Sequence, residues 1–472
     1  MTRSVQAIAL IALAASALSA TTLHVGSGQE YANLQPAADN AGPGDTILVH
    51  DGVYAGGQYV TGLQGTDDAW VFILAAEGAQ PVWEGSSEAW HLVEPAYVFI
   101  KGITFRNQTA NGVNVDDGGT YETPAHHIAF DSCTFADMNA SGNNDLLKLS
   151  GVDSFIVHGC TIRNGSAEGS GIDMVGCHYG QFIGNHFEDL GSNAIQAKGG
   201  TRHVTIERNM FINCGARTLN LGGSTGLAYF RPDTAHYEAA DLRVYANVIV
   251  GSDAPIAYVG CVNVDVVNNT IFRPGGYTIR ILQETVDIDR FHPCGNNSFR
   301  NNIVFRGDNW RDINLNSDTT VIAHRTFVFS NNLWYNYEDA NDHAPKGLPV
   351  EDVDNVVGLY PRFTDTAALD LSIPETSPAA GSGLTVTAPT VDFAGNAYAS
   401  PPSIGAFEAE LSAVRTSPGY SVLRASVTAP HAILQIGSYP RAVTANAPID
   451  LLGRLLRAGR ADGLRLVRPL SR

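Results

Sequence analysis

One pattern, apolar-x-apolar-x-x-(Asn or Cys)-x-apolar, recurs through the middle of this 472-residue chain. It reads Ile128-Ala-Phe130-Asp-Ser-Cys133-Thr-Phe135, then Phe155-Ile-Val157-His-Gly-Cys160-Thr-Ile162. Further copies are Val204-Thr-Ile206-Glu-Arg-Asn209-Met-Phe211, Leu242-Arg-Val244-Tyr-Ala-Asn247-Val-Ile249, Val264-Asp-Val266-Val-Asn-Asn269-Thr-Ile271 and Phe327-Val-Phe329-Ser-Asn-Asn332-Leu-Trp334. Shorter matches centre on Asn185 and Asn302, and Val98 to Phe105 is an early copy. From Cys133 onward the Asn or Cys positions are 27, 25, 24, 38, 22, 33 and 30 residues apart. A period near 22–25 residues with period-two alternation inside each unit fits one coil of a parallel β-solenoid, in which inward side chains stack from coil to coil. The expected fold is therefore all-β: a right-handed parallel β-helix with an N-terminal cap and a small C-terminal appendage.

The repeated Asn predicts a ladder at a bend, each amide bonding the coils above and below. Cys133 and Cys160 fall in the same column, which leaves open both a disulfide across one rung and two buried thiols. Forty-eight glycines suit the many turns such a fold needs.

Each coil contains a second strand with the same alternation: Leu147-Lys-Leu149, Ile172-Asp-Met174, Ile195-Gln-Ala197, Leu219-Asn-Leu221, Ile256-Ala-Tyr258, Ile279-Arg-Ile281 and Ile313-Asn-Leu315. If the flanking residues point inward, one outward column carries Lys148, Asp173, Gln196, Asn220, Ala257, Arg280 and Asn314. Two residues on, a second carries Ser150, Val175, Lys198, Gly222, Val259, Leu282 and Asn316. One face is thus polar and partly cationic, with neighbouring coils about 4.8 Å apart, and suits a linear polymer. The longest spacing, Asn209 to Asn247, predicts an excursion from this face at about 222–240, holding Tyr229, Arg231, His236, Tyr237 and Glu238.

The ends differ from the middle. Residues 1–20 read as a signal peptide, with Arg3 before the apolar run Ala7–Leu18 and small residues at Ala15, Ala17, Ser19 and Ala20. Residues 21–97 read as a cap and first coils, with a short capping helix over Tyr31–Asn40, and 98–408 as the repeat domain. Beyond 412 the chain turns basic, with nine arginines against Asp450 and Asp462. The protein is expected to be secreted or at the cell surface, with the periplasm as the alternative, and monomeric. A net charge of −18 argues against nucleic-acid binding, yet a local basic groove still admits an acidic polysaccharide. No later segment is long and apolar enough to span a membrane, and no C-x-x-C pair suggests zinc.

The opening Ala37-Ala-Asp-Asn-Ala-Gly-Pro-Gly-Asp45-Thr-Ile with Asp51-Gly-Val-Tyr54 resembles the start of secreted β-helix polysaccharide lyases, the alginate lyase and chondroitinase B family above all. Ile195-Gln-Ala-Lys198-Gly-Gly, Asn209-Met-Phe211 and Leu219-Asn-Leu221-Gly222-Gly resemble that family's catalytic-lysine region. The resemblance implies a β-helix acting by β-elimination, with Lys198 as base. Gly222 stands where the family has arginine, and Gly191 and Asn193 where it has calcium-binding glutamates, so calcium does not carry over. The tail, Ile449 to Arg454 with Gly463 to Arg468, resembles type IX sorting domains, which implies contact with secretion machinery; Tyr439-Pro-Arg-Ala replaces their Tyr-Pro-Asn-Pro.

A uronide lyase needs a cation on the carboxylate, a base for the neighbouring C–H and an acid for the leaving oxygen. Lys198 is the expected base, and Arg280 and Arg231 the expected carboxylate holders, since a guanidinium fork suits that group. Tyr229, His236 and Tyr237 are candidate proton donors and sugar contacts, and Asp173, Gln196, Asn220 and Glu284 complete the substrate-binding set. The structural alternatives are a solvated Lys198, an Arg280–Glu284 ion pair and a Lys148–Asp173 pair. A hydrolase using Asp145 and Asp173, an epimerase and a non-catalytic glycan-binding β-helix are the competing functions; Gly171-Ile-Asp173 resembles polygalacturonases, without their Gly-His-Gly or Arg-Ile-Lys runs.

Overall fold

A computed structural model describes residues 20–409 apart from 121–124, 286, 288 and 309–310. The basic tail and all but the last residue of the expected signal peptide lie outside the described residues. Within them the chain forms the expected parallel β-helix. One coil illustrates the build. Asn193–Lys198 lies in a ten-stranded sheet, Thr205–Glu207 in a sixteen-stranded sheet and Met210–Cys214 in a twelve-stranded sheet, before Arg217–Gly222 returns to the first. Strands stack in parallel register on the equivalent strands of the coils before and after, for example Ile195 opposite Ile172 and Leu219.

Alternation sets which side chains are buried. Ile172, Met174, Ile195, Ala197, Leu219 and Leu221 are fully buried and stack up the interior. Rings stack likewise, Phe187 on Phe211 at 4.8 Å and Phe105 on Phe135 at 5.1 Å. Leu34, Ala37 and Ala38 on the helix Leu34–Ala38 join this core at its N-terminal end.

The Asn ladder forms at the bend between the sixteen- and twelve-stranded sheets. Asn185, Asn209, Asn247, Asn269, Asn302 and Asn332 each pass a side-chain hydrogen bond to the next, at 2.9–3.1 Å. Each also accepts from the backbone N–H of the preceding column residue, so a bend that would strand one N–H per coil strands none. Asp352 ends the ladder, accepting from Asn332 at 3.1 and 3.2 Å and from the Trp334 indole N–H at 2.7 Å. At the other end Cys133 and Cys160 take the Asn positions as free buried thiols, and the Cys133 N–H faces the Cys160 sulfur at 3.3 Å.

A second apolar cluster lies outside the helix. Val248, Phe272, Ile303, Phe305 and Leu333, on the outer face of the twelve-stranded sheet, are covered by Phe363, Leu371, Ile373, Ala379, Ile404 and Ala406. Residues 361–409 thereby brace that sheet, and the Asn268 side chain donates to the Ser403 carbonyl at 2.8 Å. No helix among the described residues is long and apolar enough to cross a membrane.

Candidate functional site

The ten-stranded sheet carries the outward columns in register. Lys148 pairs with Asp173, Asp173 with Gln196, Gln196 with Asn220, Asn220 with Ala257, Ala257 with Arg280 and Arg280 with Asn314. The column also continues toward the N-terminus through Asn114, His91 and Tyr59. The second column runs from Val93 through Asp116, Ser150 and Val175 to Lys198.

A groove of about 940 Å³ follows these columns from Tyr59 and His91 to Lys198. Above Lys198 it is closed, because Ala257 and Val259 in the same columns are fully buried. The excursion is what walls the groove, through Thr225, Gly226, Ala228, Tyr229 and Arg231. Its anchor is Glu238, fully buried, whose carboxylate accepts from the Gly199 N–H at 2.9 Å, the Thr225 N–H at 2.8 Å, the Thr225 hydroxyl at 2.7 Å and the Thr285 hydroxyl. The loop is thus pinned to the turn that follows Lys198.

At the closed end two lysines flank one buried carboxylate. Lys148 Nζ donates to Asp173 Oδ2 at 2.5 Å and to Asp145 Oδ2 at 3.2 Å. Lys198 Nζ donates to Gln196 Oε1 at 3.1 Å and lies 3.1 Å from Asp173 Oδ1. That approach is out of line for a hydrogen bond, so Asp173 Oδ1 is buried and accepts none from the described residues. Burial works against the ammonium of Lys148, but Asp173 and Asp145 outweigh it and hold its pKa above the ordinary lysine value. Burial, and then repulsion from Asp173, raise the pKa of Asp145.

The other expected site residues are distributed unevenly. Arg231 reaches the groove lining, but its guanidinium turns away to grip Asp153 by two hydrogen bonds of 2.7 and 3.0 Å, and also donates to the Gly176 carbonyl. Despite the cost of burial, hydrogen bonds from His178 and Arg231 pull the Asp153 pKa down to about 2. Arg280 sits three strands above Gln196, roughly 14 Å at about 4.8 Å per strand; its Nε donates to Asn314 at 3.2 Å. Glu284 ion-pairs with Arg217 at 2.6 Å, so the structural alternative of an Arg280–Glu284 pair gives way to one with Arg217. Asn220 is buried and faces Arg217 Nη1 at 3.5 Å. His236 bonds the Arg290 carbonyl, and neither it nor Tyr237 lines the groove, whereas Tyr229 stands at the lip with 69% of its surface exposed. Gly222, which replaces the arginine of the resembled family, has φ +121°, and a Cβ there would lie 1.7 Å from the Val259 carbonyl oxygen. No side chain fits at that point without moving the next coil.

Sequence reasoning missed the open end. His91 Nε2 lies 2.5 Å from Asp116 Oδ2 and Nδ1 lies 3.2 Å from Glu88 Oε2, while Tyr59 packs edge-on to the imidazole at 4.9 Å. The signal was present: Trp90-His-Leu92 and Val113-Asn-Val115 alternate just as Leu147-Lys-Leu149 does. Among the described residues no cluster of His, Cys, Asp and Glu is arranged to hold a metal ion.

The family model for a right handed beta helix region matches residues 91–271. No curated protein matches the sequence. Among solved structures, the chain is similar to the pectate lyase Pel9A, with 15% identity, a TM-score of 0.54 and coverage of 84% of this chain and 98% of that one. It also aligns with an alginate lyase from Paenibacillus sp. str. FPU-7 at 15% identity and a TM-score of 0.42, covering 63% and 96%. An alignment with the A-module of the Azotobacter vinelandii mannuronan C-5 epimerase AlgE6 has 14% identity and a TM-score of 0.44, covering 68% and 92%. Identity this low carries the fold alone, and the fold that it carries is the right-handed parallel β-helix.

Proposed function

We propose that the protein is a polysaccharide lyase that cleaves a uronic-acid-containing chain by β-elimination, with Lys198 as the base. The observation that carries this reading is the Lys198 ammonium lining the closed end of the groove, held beside a buried carboxylate oxygen that accepts no hydrogen bond from the described residues. In the reaction Lys198 Nζ takes the C5 proton, the freed electron pair forms the C4–C5 double bond, and the C4–O bond breaks. The leaving oxygen takes a proton from the Tyr229 hydroxyl or from water. Lys148, two coils away across Asp173 and held charged by its two aspartates, supplies the cation beside the reacting carboxylate. Lys198 acts only once it has lost its proton. Arg231 and Arg280, engaged with Asp153 and Asn314, have supporting rather than substrate-holding roles in this scheme.

Hydrolysis by Asp145 and Asp173 fits less well. Both carboxyl groups are only 2% exposed and both bond Lys148, leaving no space for a glycosidic bond between them. The leader-like residues 1–20 support export, so we place the substrate outside the cytoplasm.

The test is ultraviolet detection of unsaturated uronide on a panel of uronic-acid polymers, with and without calcium. Product is expected from the wild type, and Lys198→Ala should lower kcat by about 10²–10⁴-fold, the usual contribution of a general base. Unchanged turnover in Lys198→Ala would remove the lysine from the mechanism. New reducing ends without unsaturation would indicate hydrolysis, and binding without product a glycan-binding module.

A further inference from the structure

The groove is poor in free positive charge. Its lining cations are Lys148, Lys198 and Arg231. Arg231 is engaged by Asp153, and Lys148 by Asp145 and Asp173. Asp116 and Asp117 line the open end, where Asp116 pairs with the His91 imidazole, Asp117 accepts from the Gly119 N–H, and Glu88 stands on the other side of His91. Asp145, Asp153 and Asp173 engage the three cations, Glu88 and Asp116 flank His91, and Asp117 adds a sixth acid around the groove. The charge is also graded along the groove: Lys198 lies three strands from Asp116, roughly 14 Å, and Lys148 lies one strand from it.

We propose that the groove takes a polysaccharide in which uronates are isolated among uncharged sugars, one uronate at Lys198 and neutral sugars toward Tyr59, and that it discriminates against a homopolyuronate. The proposal rests on the lyase reading for the position of the reacting sugar. A homopolyuronate would bring a carboxylate onto every subsite, including those beside Asp116 and Asp117. Like charges brought together near a protein surface repel, which is selection by repulsion. The same end offers an uncharged sugar suitable partners. Tyr59, 51% exposed, presents apolar ring surface, and Asn114 and Ser150 offer neutral hydrogen-bonding groups.

The experiment compares kcat/KM on polygalacturonate and alginate with kcat/KM on polymers whose backbone mixes uronate with neutral sugars, such as rhamnogalacturonan and gellan, each with and without calcium. The mixed polymers should be preferred about tenfold or more, a difference of about 1.4 kcal/mol. Asp116→Asn combined with Asp117→Asn should narrow that ratio at least fivefold by improving turnover of the homopolyuronate. Added salt should narrow it in the wild type too, because exposed charges are screened beyond about 10 Å at 0.1 M; this arm needs no variant to fold. Preference for a homopolyuronate under either calcium condition, or a ratio that neither the substitutions nor salt can move, would overturn the proposal. Calorimetric binding of matched oligosaccharides reads the preference without turnover. Absence of unsaturated product from every polymer counts against the lyase reading, while tighter binding of the homopolyuronate counts against this one.

Discussion

Glu238 shows how much of the candidate site depends on a single carboxylate. Its two oxygens serve four donors from Gly199, Thr225 and Thr285, and none of its surface reaches solvent. An amide has one acceptor oxygen and would turn an N–H₂ toward donors. Glu238→Gln should therefore cost about 2–4 kcal/mol, seen as a lower midpoint in denaturant. Amide exchange should quicken at Gly199 and Thr225 before it does in the coils. An unchanged exchange rate at those two positions would mean that the loop is held by other contacts. Lys198 and Asp173 were legible in the sequence because period-two alternation alone put them on the outer face. Glu238 was not, since what buries it is a partner 39 residues earlier. Arg231 misled for the same reason: its fork does hold a carboxylate, but that of Asp153, 78 residues away.

The Asn ladder makes a different demand, because its strength comes from continuity along the stack. Asn247→Ala would remove the acceptor for both the backbone and side-chain N–H of Asn209, and the donor to the Ile206 carbonyl. With these groups buried, the loss should be about 3–5 kcal/mol, measurable by chemical denaturation. Asp352 tests the ladder's end by pH. Burial raises its pKa to about 6 from an ordinary 3.8, against the pull of its Trp334 and Asn332 hydrogen bonds. The folded state therefore binds more protons than the unfolded state between those values. Stability from this group falls as pH rises from about 4 to 6 and stays low above, an effect on the order of 3 kcal/mol. Asp352→Asn should flatten that part of the thermal midpoint profile; an identical profile would show that Asp352 does not titrate there. The repeating Asn made the ladder readable before any coordinates. Its closing residue was not, because an acid breaks the pattern where the pattern stops.

For the whole molecule, the relevant property is that each coil touches little beyond the coils on either side, with residues 361–409 as a lateral brace. Such a stack holds its order by nearest-neighbour contacts. Calorimetric unfolding should accordingly give a van't Hoff enthalpy smaller than the measured one; equality of the two would mean that the brace makes the stack a single cooperative unit. The stacking of coils was legible because it repeats one rule, although the division of each coil among three sheets was not, and the brace, which follows no repeat, left no such signal. The excursion between Gly222 and Ala239 has a consequence of its own. It leaves one strand and rejoins the stack with the register of its neighbours intact, Thr201 opposite Ala239 and Leu219 opposite Ile256. Floor and wall are thus inherited separately: a descendant can lengthen, shorten or exchange the wall while the lysines and aspartates of the floor stay where they are, which makes this loop the natural place to graft a new preference onto an unchanged chemistry.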